Sequence, residues 1–146
     1  MKKASSEFLL LDVNVLLALA WPNHQFHATA IAALSSRNCW ATCALTQLGF
    51  IRLSSNPAAV ATAKSPLEAA GLLARLVADS LHAYLDTLPA PASEDWRDAL
   101  GALLGHQQVT DAYLLRLAAA NNAVFVTFDR RLESVAAGKA KVRVLN

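Results

Sequence analysis

The stretch Phe8-Leu9-Leu10-Leu11-Asp12-Val13 (FLLLDV, residues 8–13) decides the fold. It is a continuous apolar run of strand length, and a strand that is apolar on both faces belongs in the middle of a parallel sheet covered by helices. The run breaks at Asp12. Asn14 then stands where it can cap a short apolar helix over residues 15–20, which Trp21-Pro22-Asn23 closes, because proline disfavours helix in the residue before it. A second run of the same kind, AVFVTF at residues 123–128, delivers Asp129 at its carboxyl end.

Outward from these two runs, residues 28–37 are alanine-rich and helical, and a short strand follows at residues 39–42, which makes a βαβ unit. Residues 45–53 form a helix that Ser54-Ser55-Asn56-Pro57 ends. Ser65, Pro66 and Glu68 start the next helix, with serine as cap and proline in the first turn. Residues 81–88 alternate as a short strand, Pro89 and Pro91 mark a loop, and Ser93-Glu94-Asp95 opens a further helix. Thr110 is placed to cap a helix with Asp111 in its first turn and Asn121-Asn122 at its end. A turn or helix at residues 131–137 and an edge strand at residues 141–145 complete the chain. This order predicts an α/β fold in which helices cover a mostly parallel sheet, as one domain over residues 1–146.

With 146 residues, 55% of them hydrophobic and only 16% charged, the chain has material for one large core and a surplus that implies a sticky face. No stretch reaches the roughly 18 uninterrupted apolar residues of a membrane helix. Glu7 and Asp12 interrupt any secretory pattern, so a cytoplasmic location is expected. Cys39 and Cys43 lack the further soft ligands that zinc requires and read as free buried thiols. His24, His27 and His106 are not spaced for a metal on one helix face, and Trp21, Trp40 and Trp96 read as core or interface. The net charge is +2, but Arg130, Arg131, Lys139, Lys141 and Arg143 stand against Glu133 alone at the end of the chain. Such a segment attracts phosphate or is simply a solvated strand.

In a parallel sheet the function sits outside the carboxyl ends of the strands, and that is where the acids lie. Asp12 and Asp129 each follow a strand, and Asp111 opens the helix that leads into the strand before Asp129. Three carboxylates that converge raise one another's pKa unless a cation compensates them, and hard divalent ions do so through oxygen ligands. The chemistry that follows is metal-assisted phosphodiester cleavage.

The segments LLDVNVLLAL, TQLGFIRLSSNP, VTDAYLLRLAAANN and VFVTFDRRL, in this order, resemble the PIN domain, and specifically the VapC toxins of bacterial toxin–antitoxin systems. The resemblance implies an α/β/α sandwich and Mg²⁺- or Mn²⁺-dependent endoribonuclease activity on structured RNA such as tRNA or rRNA. It also implies inhibition by a cognate antitoxin. Carried over by residue, Asp12, Asp111 and Asp129 match the first, third and fourth acids of the family, and Asn14 and Thr127 match polar neighbours that support the metal shell. The second acid is usually a glutamate. Here Gln47 is the nearest candidate, flanked by Thr46; it can ligate through its carbonyl oxygen but adds no charge, which weakens the case for a second ion.

Thr110 joins the supporting shell on this reading, and Arg52 and Arg130 become candidate RNA contacts. The helices of residues 28–53 are expected to offer a homodimer face and an antitoxin groove. Two other classes compete: a PIN-like module that binds RNA with little cleavage, and a phosphotransfer protein. The second is disfavoured by Val13-Asn14 after Asp12, where a further aspartate two residues on is missing.

Overall fold

The computed structural model describes residues 7–35, 37–103, 105–136 and 140–146. Five strands, β1 (Phe8–Leu11), β2 (Cys39–Thr42), β3 (His82–Tyr84), β4 (Val124–Thr127) and β5 (Lys141–Val144), form one sheet in the order β3-β2-β1-β4-β5. All neighbouring pairs are parallel, so the sheet is more uniform than the expected mixture. Strand β1 lies at the centre, with Leu9, Leu10 and Leu11 fully buried. Removing each of these side chains from water contributes roughly 1.5–3 kcal/mol.

Successive residues of the central strands feed opposite cores. Leu9, Leu11, Val124 and Val126 pack with Val15 and Leu16 of α1 (Val13–Ala20), Ala30 of α2 (His27–Leu34), Phe50 of α3 (Ala44–Ser54) and Leu73 of α4 (Pro66–Val77). Leu10, Ala41 and Phe125 pack on the other face with Leu114 and Leu117 of α6 (Val109–Ala120) and Leu132 of α7 (Leu132–Ala136). This is the α/β/α sandwich. A short α5 (Arg97–Gly101) follows a 3₁₀ turn at Glu94–Trp96, where one longer helix was expected.

Local signals explain most boundaries. Ser65 and Glu68 form a reciprocal capping box at α4, with Pro66 at its first position. Asn122 takes a positive φ of 53° just beyond α6, as asparagine does at helix ends. Helix α3 approaches α1 closely at Gly49, where an added Cβ would stand 2.7 Å from Val13 Cγ2.

Two expected caps are corrected. Asp12, not Asn14, caps α1: its backbone is extended and its Oδ1 accepts from Val13 N–H at 2.7 Å. Thr110 caps nothing, because a 3₁₀ turn at His106–Gln108 runs straight into α6 and leaves Gln108 in helical geometry as the N-cap residue. Of the cysteines, both free, only Cys43 is buried; Cys39 starts β2 at its exposed end. Among the described residues no helix is long and apolar enough to cross a membrane. The tryptophans are core residues, each 8% exposed or less.

Candidate active site

The carboxyl ends of β1 and β4 lie side by side, with Leu11 opposite Val126 and Asp12 N–H donating to Val126 O at 2.9 Å. That pairing sets Asp12 beside Thr127, the last residue of β4. The fully buried Thr127 hydroxyl donates to Asp12 Oδ2 at 2.7 Å and accepts from Asp129 N–H at 3.0 Å and from Asn14 Nδ2 at 3.3 Å. Its one proton and two lone pairs are all engaged, so its orientation is fixed. Asn14 closes the ring by accepting from Phe128 N–H at 3.3 Å. Thus Thr127 bonds Asp12 directly and Asn14 reaches it only through Thr127, the hub.

The charges of Asp111 and Asp129 act on Asp12, and that of Asp129 acts on Asp111. Burial pushes the Asp12 carboxyl above its ordinary value; its hydrogen bonds from Thr127 and Val13 oppose that, and the nearby charges of Asp111 and Asp129 add to it. Asp111, on the first turn of α6, is raised by desolvation and then by Asp129, with Arg131 acting against both. Asp129 moves the other way, because Arg131 hydrogen-bonds its carboxylate. A half-buried acid, raised and under the charge of two more, is the donor chemistry that a hard divalent cation stabilises.

The carboxylates fit such an ion in kind. They do not yet close on one: among the described residues no three histidine, cysteine, aspartate or glutamate side chains stand as a ready metal cluster. Both Asp12 oxygens are engaged on Val13 and Thr127, and both Asp129 oxygens on Arg131.

The remaining candidates separate. Gln47, half-buried on α3, donates from Nε2 to Thr42 Oγ1 at 3.0 Å, and that hydroxyl lies 2.7 Å from His82 Nε2. The amide is therefore tied to the end of β2 and, through it, to the start of β3. His82 stacks edge-on to Trp40 at 4.7 Å, and burial lowers its pKa. Thr46 serves as a cap: its hydroxyl accepts from Cys43 N–H at 3.0 Å. Thr110 is exposed. Arg52 is exposed in the last turn of α3, and Arg130 turns to Asn146 Oδ1 at 3.2 Å. Arg143 pairs with Glu7 at 2.6 Å, so part of the basic chain end is internally compensated; Lys139 lies outside the described residues.

Reading the sequence missed Thr42 and His82, which are 40 residues apart and meet only through sheet pairing. It weighed Arg130 as a contact for RNA and did not single out Arg131, which pairs with Asp129.

A PIN domain family model matches residues 9–138. Ribonuclease VapC39 of Mycobacterium tuberculosis is 40% identical over 138 residues, which cover 91% of this chain and 97% of the relative. Ribonuclease VapC38 of the same species is 38% identical over 141 residues, covering 92% and 94%. Among solved structures, a chain of VapBC2 from Rickettsia felis, crystallised bound to a DNA fragment from their promoter, covers 95% of this chain and 99% of its own length. Its TM-score is 0.61 at 13% identity, a likeness of fold. The chain belongs to the PIN-domain family, among its VapC ribonucleases.

Proposed function

We propose that this VapC-type PIN domain is an Mg²⁺- or Mn²⁺-dependent endoribonuclease, the toxin of a toxin–antitoxin pair, that cleaves structured RNA of the tRNA or rRNA class. The observation that carries this reading is the buried Thr127 hydroxyl holding Asp12 at the end of β1, where the charges of Asp111 and Asp129 act on it. Asp12, Asp111 and Asp129 would hold the ion, which supplies Lewis acidity for hydrolysis of the phosphodiester.

The chain's own residues prepare that step. Thr127 and the Val13 N–H fix the Asp12 carboxylate before any ligand arrives, so little ordering is left for the moment of binding. Asn14 and Asp129 N–H saturate Thr127 and stop its hydroxyl from turning away. Asp111 and Asp129 add negative charge beside Asp12, and Gln47, bound to Thr42, is neutral. One well-held ion suits this arrangement, with any second one dependent on substrate. Arg52 and Arg130, both exposed, are available to RNA phosphates.

The exposed Leu45 and Leu48 of α3, with Ile31 of α2, support an antitoxin groove and a homodimer face on these helices. Light scattering that finds only monomer would remove the dimer. A cytoplasmic location accords with this role. A second reading, RNA binding without cutting, draws on the neutral Gln47 and on carboxylates that are not closed into a cluster.

Mapping RNA ends after expression of the protein, with Asp12→Asn as control, tests activity and substrate together. Cuts that need Mg²⁺ or Mn²⁺, stop with EDTA and vanish in the variant are the expected result. RNA binding with no cuts under either ion would overturn the enzyme reading.

A further inference from the structure

Asp129 is held by Arg131 from backbone and side chain together. Arg131 N–H donates to Oδ1 at 3.0 Å, Nε reaches Oδ1 at 3.1 Å and Oδ2 at 3.3 Å, and the terminal Nη2 reaches Oδ2 at 2.8 Å. This is a fork of donors closed over both carboxylate oxygens. The same guanidinium charge acts on Asp111. Arg130, one position earlier, turns away to Asn146. A monovalent cation therefore stands beside Asp129, while the Arg131 side chain remains 78% exposed to solvent.

We propose that Arg131 is a built-in counter-ion, which competes with the divalent ion for Asp129 and, once displaced, is presented to a phosphate of the substrate. The inference rests on the aspartates as metal ligands and adds a residue that counting acids does not reveal. An exposed ion pair is weak, so a divalent ion held by several carboxylates displaces it. The released guanidinium stays tethered two residues from Asp129. Phosphate offers it the same paired oxygens that the carboxylate did, a match that lysine cannot reproduce. Metal binding and phosphate binding are thereby coupled through one side chain.

Calorimetric titration with Mn²⁺ of the parent, Arg131→Gln, Arg130→Gln and Asp12→Asn proteins tests the competition. Arg131→Gln should bind Mn²⁺ roughly threefold tighter, as expected for removal of an exposed competing pair, and Arg130→Gln should match the parent. Binding of a fluorescent 2′-O-methyl oligoribonucleotide tests the coupling: Mg²⁺ should strengthen it in the parent, and Arg131→Gln should lose that gain. Unchanged Mn²⁺ affinity in Arg131→Gln overturns the proposal, as does equal tightening in Arg130→Gln, which would reveal only a general charge effect. A Mg²⁺ gain that survives in Arg131→Gln also overturns it. Should Asp12→Asn keep the parent's Mn²⁺ affinity, the aspartate reading fails and this proposal with it. Should Asp12→Asn lose that affinity while Arg131→Gln stays at the parent's value, only the counter-ion role falls.

Discussion

Asp12 and Asp129 lie at the ends of adjacent strands, yet one is built in and the other is adjustable. Asp12 is desolvated, caps α1 and is gripped by a hydroxyl with no freedom left. Asp129 stands on the rim, in the grasp of an exposed arginine from the same turn. Their pKa values accordingly move in opposite directions. The contrast teaches that the fold fixes charge at the centre of the sheet and leaves exchange of partners to the loop.

The sharpest way to break this contrast is Asp12→Asn. Cleavage and Mn²⁺ binding should both disappear, with only a small change in melting temperature: the amide oxygen still caps Val13, and loss of the half-buried charge offsets the Thr127 hydroxyl bond, which the new amide nitrogen cannot accept. Thermal unfolding beside a cleavage assay checks this, and a folded, fully active variant would contradict the central role of Asp12.

Next in size is Thr127→Val, which keeps the shape but leaves Asp129 N–H, Asn14 Nδ2 and Asp12 Oδ2 without their partner. A stability loss of about 1–3 kcal/mol is expected for unsatisfied groups of this kind, measured by urea denaturation, together with weaker Mn²⁺ binding. Thr127→Ser should restore most of both.

The pH response separates the two acids. Asp12 and Asp111 are raised above 3.8, so the folded protein holds extra protons there, and stability should fall as pH climbs through their native titrations. Asp129 is depressed below 3.8, so its contribution is present above that value and lost as pH falls through its native titration. Urea midpoints from about pH 3 to about pH 7 should show the decline on the higher side in the parent and much less of it in Asp12→Asn. Mg²⁺, which needs the ionised acids, should flatten that decline.

The smallest effect is expected from Gln47→Glu. A carboxylate cannot donate to Thr42, so the Thr42 hydroxyl must turn to donate to it and accept from His82 Nε2–H. Mn²⁺ should bind more tightly by a few fold, and the His82 pKa should rise from its lowered position, followed by NMR. An unmoved His82 would show that Gln47 and His82 are not coupled through Thr42.

Much of this molecule is legible in the chain. The runs FLLLDV and AVFVTF give the two central strands because both faces of each are buried, and Ser65-Pro66-Glu68 gives α4 because capping is local chemistry. The placement of the aspartates was legible for the same reason: Asp12 and Asp129 follow buried strands, and Asp111 lies in a first turn. What escaped depends on backbone geometry or on distant pairing. Asn14 looked like a cap because it is polar and early, but the helix begins as soon as β1 ends, which gives the cap to Asp12. Thr110 lost its role to a 3₁₀ turn that spacing does not reveal. Thr42 and His82 meet across β2 and β3, and Arg131 differs from Arg130 only in the direction that its turn sends it.

The central position of β1 has a consequence for synthesis. Leu10 pairs with Ala41 on one side and with Phe125 on the other, a partner 115 residues later in the chain. Parallel pairing over that separation is slow to form, and it must wait for β4 to leave the ribosome. Until then Asp12 has its helix cap but neither Thr127 nor the other two acids beside it. On the proposed reading, a nascent chain therefore lacks an assembled site until β4 has been made and has paired with β1.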